Sequence, residues 1–549
     1  MTTKLVIIGG VAGGATAAAR ARRVDEHAEI ILFERGEYIS FANCGLPYHI
    51  GGDIQKRDEL LLTTPEDFTA RYRVDVRTFT EVIDIDRKRK VVTVRDVKGN
   101  TTYEESYNRM ILSPGAEPLK PPIPGVDLPN IFNLRNLPDT DRIKAVVDSG
   151  QAASAVIVGG GFIGLEMAEN LIQRGVAVTI VEMLDQVMAP LDYEMAVMVH
   201  NHLREKKVAL LLESGVTGFS EEEGKILVST TTGEAVTCDM VLLSIGVRAE
   251  SLLAKKAGLA INDRGGIVVN DALETSDPCI YAVGDAIATR DFLTGAQTMV
   301  PLAGPANKQG RIAADNAMGR RTTYRGVLGT AVVKVFDLTV ASTGQSEKSA
   351  KQHNLAYLKS YTFSGSHASY YPGAEYMGIK LLFSPGTGKI LGAQIVGGKG
   401  ADKRIDVLAT AIHGGMTVYD LEELELAYAP PYSSAKDPVN MAGFVAANIL
   451  KNDVAVIHGD ELKSQLGKNE VLIDLRTKVE IRMEGGMEGA IHIPLDELRD
   501  KLHTLDREKE YVVFCAVGMR GYVAFRILSQ HGFRVRNLSG GYEIYQLIN

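Results

Sequence analysis

Residues 4–14, Lys-Leu-Val-Ile-Ile-Gly-Gly-Val-Ala-Gly-Gly, decide how the first part of the chain folds. The apolar run predicts a buried strand, and the glycines that follow predict a tight turn into a helix. An Ala-rich segment comes next, and a second apolar run ends at Glu34. Glycines in such a turn let the backbone approach a pyrophosphate, while the acidic residue can take the ribose hydroxyls. The segment therefore predicts a dinucleotide-binding β-α-β unit, although Val11 replaces the middle glycine of the usual pattern.

A second copy of the same pattern begins at Ala155. It has an apolar run, the turn Gly159-Gly160-Gly161-Phe162-Ile163-Gly164, and a second apolar run that closes at Glu182. Two complete units in one chain predict two dinucleotides. Glu182 would accept a bond from a ribose 2′-hydroxyl and repel a 2′-phosphate, and no arginine follows it in Met183-Leu184. This favours NADH over NADPH.

Cys44 follows the first unit and precedes Pro47. Proline suits the first turn of a helix, so the sulfur is expected near free backbone N–H groups that stabilise a thiolate and lower its pKa. An isolated cysteine is more often a small buried hydrophobe. A single redox cysteine would pair with a substrate sulfur or cycle through a sulfenic acid.

Composition narrows the class of protein. The 549 residues suggest three or four domains, and 45% hydrophobic with 23% charged residues indicates an α/β enzyme. A net charge of -8 gives no support for nucleic-acid binding. The four cysteines lie far apart without zinc-like spacing, so we expect no metal site and reduced thiols, with Cys238 and Cys279 structural. No apolar run is long enough to cross a bilayer, and we expect a cytoplasmic protein.

Two further segments, 111–116 and 280–286, resemble those of two-dinucleotide flavoprotein reductases. In the glutathione reductase type a second cysteine would fall at His49, so the chain resembles a single-cysteine branch. The resemblance implies FAD and NADH, with the Asp285 carboxylate holding the FAD ribityl chain and Glu166 helping to place the nicotinamide. The predicted cofactor-binding residues are Gly9, Val11, Ala12, Gly14, Glu34, Arg35, Ser113, Gly115, Gly159, Gly161, Phe162, Ile163, Gly164, Glu166, Glu182, Gly246, Gly284 and Asp285.

Three segments together resemble the coenzyme A disulfide reductase family, at residues 40–48, 366–373 and 427–437. The resemblance covers roughly residues 1–450. It implies a homodimer in which Tyr370 and Tyr428 reach the Cys44 sulfur of the other subunit. It also implies a coenzyme A site, in which Arg20 and Arg23, one helical turn apart, can meet the phosphates. The candidate coenzyme A contacts are Thr16, Arg20, Arg23, Ser40, Asn43, Arg71 and Lys436.

The last hundred residues resemble a rhodanese domain. The motifs are Val471–Arg476, Gly489–Pro494, Tyr511–Gly521 and Leu538–Tyr542. A strand delivers Cys515 into a loop that ends in Arg520, and successive loop N–H groups with the guanidinium can stabilise a thiolate or persulfide. Cys515 and Arg520 are therefore interpreted as catalytic. Asp474 and Arg476 are expected to organise the loops.

The predicted fold is α/β, with two Rossmann-like domains, an α+β dimerisation domain and a C-terminal α/β rhodanese domain. The predicted boundaries are 1–115 with 246–326 for FAD, 116–245 for NAD, 327–450 for dimerisation and 451–549 for rhodanese. A rhodanese domain carries sulfane sulfur, so its fusion favours an NADH-dependent reductase of persulfides or polysulfides, with coenzyme A persulfide as the expected substrate. The alternatives are a coenzyme A disulfide reductase, an NADH oxidase, a sulfurtransferase or a redox sensor.

Overall fold

The computed structural model describes residues 2–467 and 469–549, which form two compact units. The first unit comprises Met1–Asp185 and Lys207–Gly329. The second comprises Gln186–Lys206 and Thr330–Asn549. Each unit contains two five-stranded sheets.

Both five-stranded sheets of the first unit are parallel. The first has the strand order Ile280–Ala282, Arg109–Leu112, Lys4–Ile8, Glu29–Phe33, Asp75–Arg77. The second has the order Ala209–Leu211, Ala177–Val181, Ser154–Val158, Met240–Leu243, Ile131–Phe132. Both are apolar and buried, as strands covered on both faces must be. The predicted pair of Rossmann-like domains is confirmed.

The glycine turns after the central strands have the same geometry in both domains. Gly9 has φ +96°, and a Cβ there would lie 2.1 Å from the carbonyl oxygen of Ser113. Gly159 has φ +103°, and a Cβ there would lie 2.4 Å from the carbonyl oxygen of Ser244. Any larger residue at either position would be strained and would collide with backbone, so each turn requires its glycine.

Smaller sheets and helices complete the first unit. The remaining strands are Thr80–Asp86, Val91–Asp96 and Thr102–Ser106; Val216–Glu222, Lys225–Thr230 and Ala235–Cys238; Val247–Ala249 with Ala116–Pro118; and Ile267–Val268, Ile287–Arg290 and Gln297–Thr298. The helices are Ala12–Val24, Leu46–Gly51, Pro65–Tyr72, Leu137–Asp148, Phe162–Gln173, Leu252–Lys256 and Ala303–Ala317. Cys238 ends its strand and is buried, which fits the structural role expected for it.

The second unit begins with an antiparallel sheet. Its strand order is Ala331–Val335, Leu338–Gly344, Ile390–Gly397, Tyr376–Phe383, Leu358–Gly365. The helices that accompany this sheet are Tyr193–Glu205, Glu347–Gln352, Ala401–His413, Val418–Glu423 and Pro438–Leu450. This is the α+β arrangement predicted for the dimerisation domain. The helix Tyr193–Glu205 precedes the rest of the unit in sequence but groups with it.

The remainder of the second unit is a parallel α/β domain. Its strand order is Val456–Ile457, Arg534–Leu538, Glu510–Phe514, Glu470–Asp474, Ile491–His492. Its helices are Gly459–Gln465, Lys478–Glu484, Leu498–Lys501, Met519–Gln530 and Gly541–Ile548. Across the described ranges, 2–467 and 469–549, no helix combines the length and apolar character needed to span a membrane.

Candidate redox and sulfur-transfer sites

Cys44 lies in a short 3-10 turn, Asn43–Gly45, that leads directly into the helix Leu46–Gly51. Pro47 occupies the first turn of that helix, as predicted. The expected low pKa is wrong, however. Partial burial of the sulfur and the nearby carboxylates of Glu166 and Asp285 raise the pKa of Cys44. In the protein alone, these effects outweigh the stabilisation that a helix of this length gives to a thiolate.

The helix that follows Cys44 is bound to the helix of the second glycine motif, Phe162–Gln173. The Tyr48 hydroxyl donates to Glu166 Oε1 at 3.1 Å. Arg174, which caps the second helix, donates to the carbonyl oxygen of Ile50 at 3.0 Å. Burial raises the pKa of Glu166. The residue predicted to place the nicotinamide is therefore linked directly to the segment that carries Cys44.

The two acidic residues predicted to bind ribose hydroxyls have matching environments. Glu34 accepts hydrogen bonds from the N–H groups of Gly10 and Gly36, both at 2.8 Å. Glu182 accepts from the N–H groups of Gly160 at 2.7 Å and Leu184 at 2.9 Å. Each carboxylate is thus anchored beside its glycine turn, where a nucleotide ribose would lie.

The residues present fit FAD and a nicotinamide dinucleotide. Burial raises the pKa of Asp285, and within residues 2–467 and 469–549 no protein group donates a hydrogen bond to its carboxylate. Such a carboxylate is available to accept from a cofactor hydroxyl. A Cβ added at Gly115 or Gly161 would meet no protein atom within 4 Å, so the space beside both turns is open.

The other predicted cofactor residues fall around the same turns. Val11 and Gly161 are the N-caps of the two nucleotide helices, and Gly284 donates its N–H to Gln309 at 2.8 Å. Arg35 is engaged elsewhere, because its guanidinium forms a two-point ion pair with Glu250 at 2.6 and 3.0 Å. The remaining predicted residues lie in the two nucleotide helices, Ala12–Val24 and Phe162–Gln173, or in connecting loops. They are Ala12, Gly14, Phe162, Ile163 and Gly164 in the helices and Ser113 and Gly246 in the loops.

Some of the candidate coenzyme A contacts are already paired with protein groups, and others are exposed. Thr16 donates to Asn307 at 2.5 Å. Arg20 forms a two-point ion pair with Asp315 at 2.8 and 3.1 Å, so its charge is already compensated. Arg23 is exposed on the same helix. Ser40, Asn43 and Arg71 are partly or fully exposed, while Lys436 belongs to the second unit, where it is also exposed.

Tyr370 and Tyr428 form a pair within the second unit. Their hydroxyl oxygens are 2.7 Å apart, and their side chains are 73% and 48% exposed. The motifs predicted both residues, and the structure brings them together. An exposed pair of phenols suits a role toward a partner surface.

Sequence reasoning missed the buried side chain that organises the loops of this pair. Arg404 donates to the carbonyl oxygen of Ser366 at 2.9 Å, to Ser433 Oγ at 3.1 Å and to Asp437 Oδ2 at 2.8 Å. The first partner begins the loop of Tyr370, and the other two end the loop of Tyr428. No sequence signal identifies this arginine, because its partners lie on separate segments.

Cys515 is buried at the end of the strand Glu510–Phe514. The N–H of Gly518 donates to its Sγ at 3.2 Å, which is the loop contact predicted for a thiolate or persulfide. Arg520 lies beside this sulfur and forms a two-point ion pair with Glu480. Glu480 was also missed, although the pattern Thr477-x-x-Glu480 could have identified it as the end of a capping box.

Asp474 and Arg476 organise the loops, as predicted. The buried Arg476 guanidinium is paired with Asp474 at 2.8 Å and lies 3.8 Å from the ring centroid of Tyr542. The Tyr542 N–H in turn donates to the carbonyl oxygen of Cys515 at 2.8 Å. These contacts fix the backbone of the sulfur-binding loop.

Comparison with known families separates the chain into three matched segments. Residues 3–310 match the family described as pyridine nucleotide-disulphide oxidoreductase, and residues 330–438 match its dimerisation domain. Residues 458–547 match a rhodanese-like domain. The predicted combination of a flavoprotein reductase with a rhodanese domain is confirmed.

Some relatives match only the reductase part of the chain, and others match nearly all of it. A coenzyme A disulfide reductase of Staphylococcus haemolyticus is 37% identical over 447 residues, which is 81% of this chain and 100% of the relative. The structure of reduced Bacillus anthracis CoADR-RHD has a TM-score of 0.98 and 50% identity, covering 100% of this chain and 98% of that chain. An NAD-dependent persulfide reductase from A. fulgidus has a TM-score of 0.92 and 40% identity, covering 99% and 100% of the respective chains.

Proposed function

Because this chain belongs to the pyridine nucleotide-disulphide oxidoreductase family, we propose that it is an NADH-dependent flavoprotein that reduces persulfides, with coenzyme A persulfide or a related thiol persulfide as substrate. The observation that carries the proposal is the presence, in one chain, of a free exposed cysteine, Cys44, near Glu166 and Asp285, and of a second free cysteine, Cys515, whose Sγ accepts a hydrogen bond from a loop N–H. The relatives named coenzyme A disulfide reductase and persulfide reductase support the same substrate class.

In the proposed reaction the Cys44 thiolate attacks the persulfide RSSH. One new S–S bond forms at Cys44 while the S–S bond of the substrate breaks, so either hydrosulfide or the thiolate RS⁻ leaves with the electron pair. A homodimer would bring Tyr370 and Tyr428 of a second subunit to this site, where their hydroxyls donate a proton to the leaving sulfur. The net reaction is RSSH + NADH + H⁺ → RSH + H₂S + NAD⁺.

FAD, when bound, supplies the two-electron transfer that returns the Cys44 disulfide or persulfide to the thiol. Glu34, Asp285 and the turn at Gly9 would hold it. Glu182 and the turn at Gly159 would hold the nicotinamide dinucleotide, and Glu166, fixed by Tyr48, would orient its reacting end.

Coenzyme A binding is proposed along the first nucleotide helix. Arg23 is the better phosphate contact, because Arg20 is already paired with Asp315. Ser40 and Asn43 lie next to Cys44 in sequence and would contact the pantetheine arm. Thr16 and Arg71 complete the proposed set in this unit, and Lys436 stays a prediction from the resemblance. The free cysteines suit a reducing compartment, and we place the enzyme in the cytoplasm.

The proposal is tested by anaerobic NADH oxidation with three substrates: coenzyme A persulfide, inorganic polysulfide and coenzyme A disulfide. We expect the persulfide to have the highest kcat/KM. A higher value for the disulfide would make the protein a coenzyme A disulfide reductase. NADH oxidation that appears only when the same assay is repeated in air would make it an NADH oxidase. Thiosulfate-to-cyanide transfer that exceeds NADH consumption would make it chiefly a sulfurtransferase.

Replacing Glu182 with serine should weaken the preference for NADH. The change removes the carboxylate that accepts a ribose hydroxyl and repels a 2′-phosphate, so the ratio of kcat/KM for NADH to that for NADPH should fall by about tenfold or more. The measurement is steady-state oxidation of each nucleotide with a fixed persulfide concentration. The control is Glu222→Ser, an exposed acid on the strand Val216–Glu222, which should leave the ratio unchanged. An unaltered ratio in Glu182→Ser would contradict the assignment.

A further inference from the structure

The cation beside the sulfur of Cys515 is compensated by a carboxylate. Arg520 Nη1 donates to Glu480 Oε2 at 2.9 Å, and its Nη2 donates to Oε1 at 2.5 Å. Two parallel bonds between a guanidinium and a carboxylate form the strongest common type of ion pair in proteins. The bonds from Arg520 lower the pKa of Glu480 to about 2, so the acid is ionised at neutral pH.

Glu480 is held in place from its own side as well. It ends the capping box of the helix Lys478–Glu484, accepting from the N–H and the hydroxyl of Thr477, both at 2.8 Å. The carboxylate therefore has a fixed position rather than a mobile one. Its pairing with Arg520 is part of the fold of the domain.

The rest of the loop adds little charge around the sulfur. Between Cys515 and Arg520 the residues are Ala516, Val517, Gly518 and Met519, and the Met519 side chain is 72% exposed. The arginine that stacks on Tyr542, Arg476, is buried and paired with Asp474 and Glu484. A donor that approaches Cys515 thus meets apolar side chains and a compensated guanidinium.

The possible sulfur donors differ in the charge that they bring to this loop. Thiosulfate is a dianion. Transfer of its outer sulfur to the Cys515 thiolate releases sulfite, which is also a dianion. Binding of thiosulfate therefore depends on uncompensated positive charge in the loop. An organic persulfide carries at most one negative charge, on its outer sulfur, so its binding depends less on positive charge in the loop. Cys515 attacks its outer sulfur, a new S–S bond forms at Sγ, the S–S bond of the donor breaks, and the donor leaves as a thiolate with the electron pair.

We propose that Glu480 is a specificity-determining residue of the sulfur-transfer site, which compensates Arg520 and thereby selects organic persulfides, with at most one negative charge at the sulfur end, over the thiosulfate dianion. This inference rests on the proposed function, because it names the donor class for the same sulfur pathway. A persulfide on the uncharged pantetheine arm of coenzyme A belongs to the selected class.

The test is Glu480→Gln in the full-length protein with its flavin. Glutamine also fits the last position of a capping box, so the helix retains its cap while the negative charge is lost. We expect kcat/KM for sulfur transfer from thiosulfate to cyanide to rise about five- to tenfold, mainly through a lower KM, because Arg520 is then uncompensated. With N-acetylcysteamine persulfide, which carries at most one negative charge, the value should rise by no more than about threefold.

The matched control is Glu497→Gln. It removes the same charge from the same domain, but Glu497 pairs with Lys501 on the surface. Its thiosulfate kinetics should equal those of the parent protein. A thiosulfate KM that is unchanged in Glu480→Gln, or lowered equally in Glu497→Gln, would overturn the proposal.

A second measurement does not depend on turnover. In a Cys44→Ser background, Cys515 is alkylated with iodoacetate, an anion, or with iodoacetamide, which is neutral, and modification of Cys515 is followed by peptide mass spectrometry. Glu480→Gln should raise the ratio of the iodoacetate rate to the iodoacetamide rate about two- to threefold, and an unchanged ratio would contradict the inference. Failure of NADH-dependent persulfide reduction in the parent protein would instead refute the proposed function and leave this ratio interpretable.

Discussion

Replacing Cys44 with serine should reduce NADH-dependent persulfide reduction at least about a thousandfold, because the step that breaks the substrate S–S bond loses its nucleophile. A serine hydroxyl is a poor nucleophile at neutral pH and cannot form the mixed disulfide or persulfide that is then reduced. The measurement is anaerobic NADH oxidation with coenzyme A persulfide. Flavin content and the rate of flavin reduction by NADH should stay close to those of the parent protein, which separates loss of chemistry from loss of fold.

Two other cysteines provide the controls. Cys279→Ser changes a half-buried thiol of the same unit that contacts Arg109, and its persulfide reductase activity should equal that of the parent. Cys515→Ser should keep the reduction of added coenzyme A persulfide while losing sulfur transfer from thiosulfate. Substantial activity in Cys44→Ser would show that the substrate is reduced by the flavin directly, and the proposed mechanism would fail.

The pH dependence of the same reaction follows from the environment of Cys44. Burial and the carboxylates of Glu166 and Asp285 raise the pKa of this thiol, so the reactive thiolate is the minor form at neutral pH. The value of kcat/KM should therefore increase as the pH rises toward that pKa. Removing one of the two charges with Glu166→Gln should lower the pKa of Cys44 and move the rise to lower pH.

Sequence reasoning succeeded where function depends on local patterns. The turns at Gly9 and Gly159 follow from glycines placed between an apolar strand and a helix, and Glu34 and Glu182 follow from the end of the second strand. The loop from Cys515 to Arg520 is local in the same way. The contacts of Glu34, Glu182 and Cys515 are formed within one supersecondary motif, so the spacing of residues is sufficient to predict them. The carbonyl groups that exclude a side chain at Gly9 and Gly159 come instead from distant segments, at Ser113 and Ser244.

Sequence reasoning failed where distant segments meet. The raised pKa of Cys44 depends on Glu166 and Asp285, which enter from the second nucleotide helix and from a later return of the chain. The compensation of Arg520 by Glu480 joins residues that are 40 positions apart. Tertiary packing decides which charged groups become neighbours at such points and how they are oriented. Spacing along the chain carries no information about either.

A buried charge cluster in the second unit is the clearest example. Lys380 is 0% exposed and lies among apolar residues of the strand Tyr376–Phe383, a position that sequence patterns assign to the core. Its ammonium is 2.8 Å from Asp192 Oδ2 and 2.5 Å from Glu194 Oε1, and it also contacts Glu347. The three carboxylates lie close enough together to hold a metal ion, but the lysine ammonium occupies the centre of the group.

Replacing Lys380 with methionine should therefore be strongly destabilising, because it leaves buried carboxylates without their central cation. Breaking one side of a buried ion pair costs about 3–5 kcal/mol, which corresponds to a fall of roughly 6–20 °C in the Tm of this unit. Differential scanning calorimetry of the flavin-loaded protein measures the change. Lys351→Met is the matched control, since Lys351 pairs with the same Glu347 at 4.0 Å but is 68% exposed, and its Tm should shift by less than about 2 °C.

The pH dependence of the fall in Tm in Lys380→Met identifies the cause of the destabilisation. Burial raises the pKa of Glu347, but the charges of Lys380 and Lys359 have the larger combined effect and lower this pKa to about 2. In the parent protein this carboxylate thus contributes stability above its unfolded pKa and loses it as the pH falls toward 2. Without Lys380 the pKa of Glu347 rises, so the Tm difference between parent and variant should be largest near pH 7 and should shrink toward pH 4.5. A difference that is independent of pH would indicate lost packing rather than an uncompensated charge, because only the charged form of the carboxylates requires the lysine.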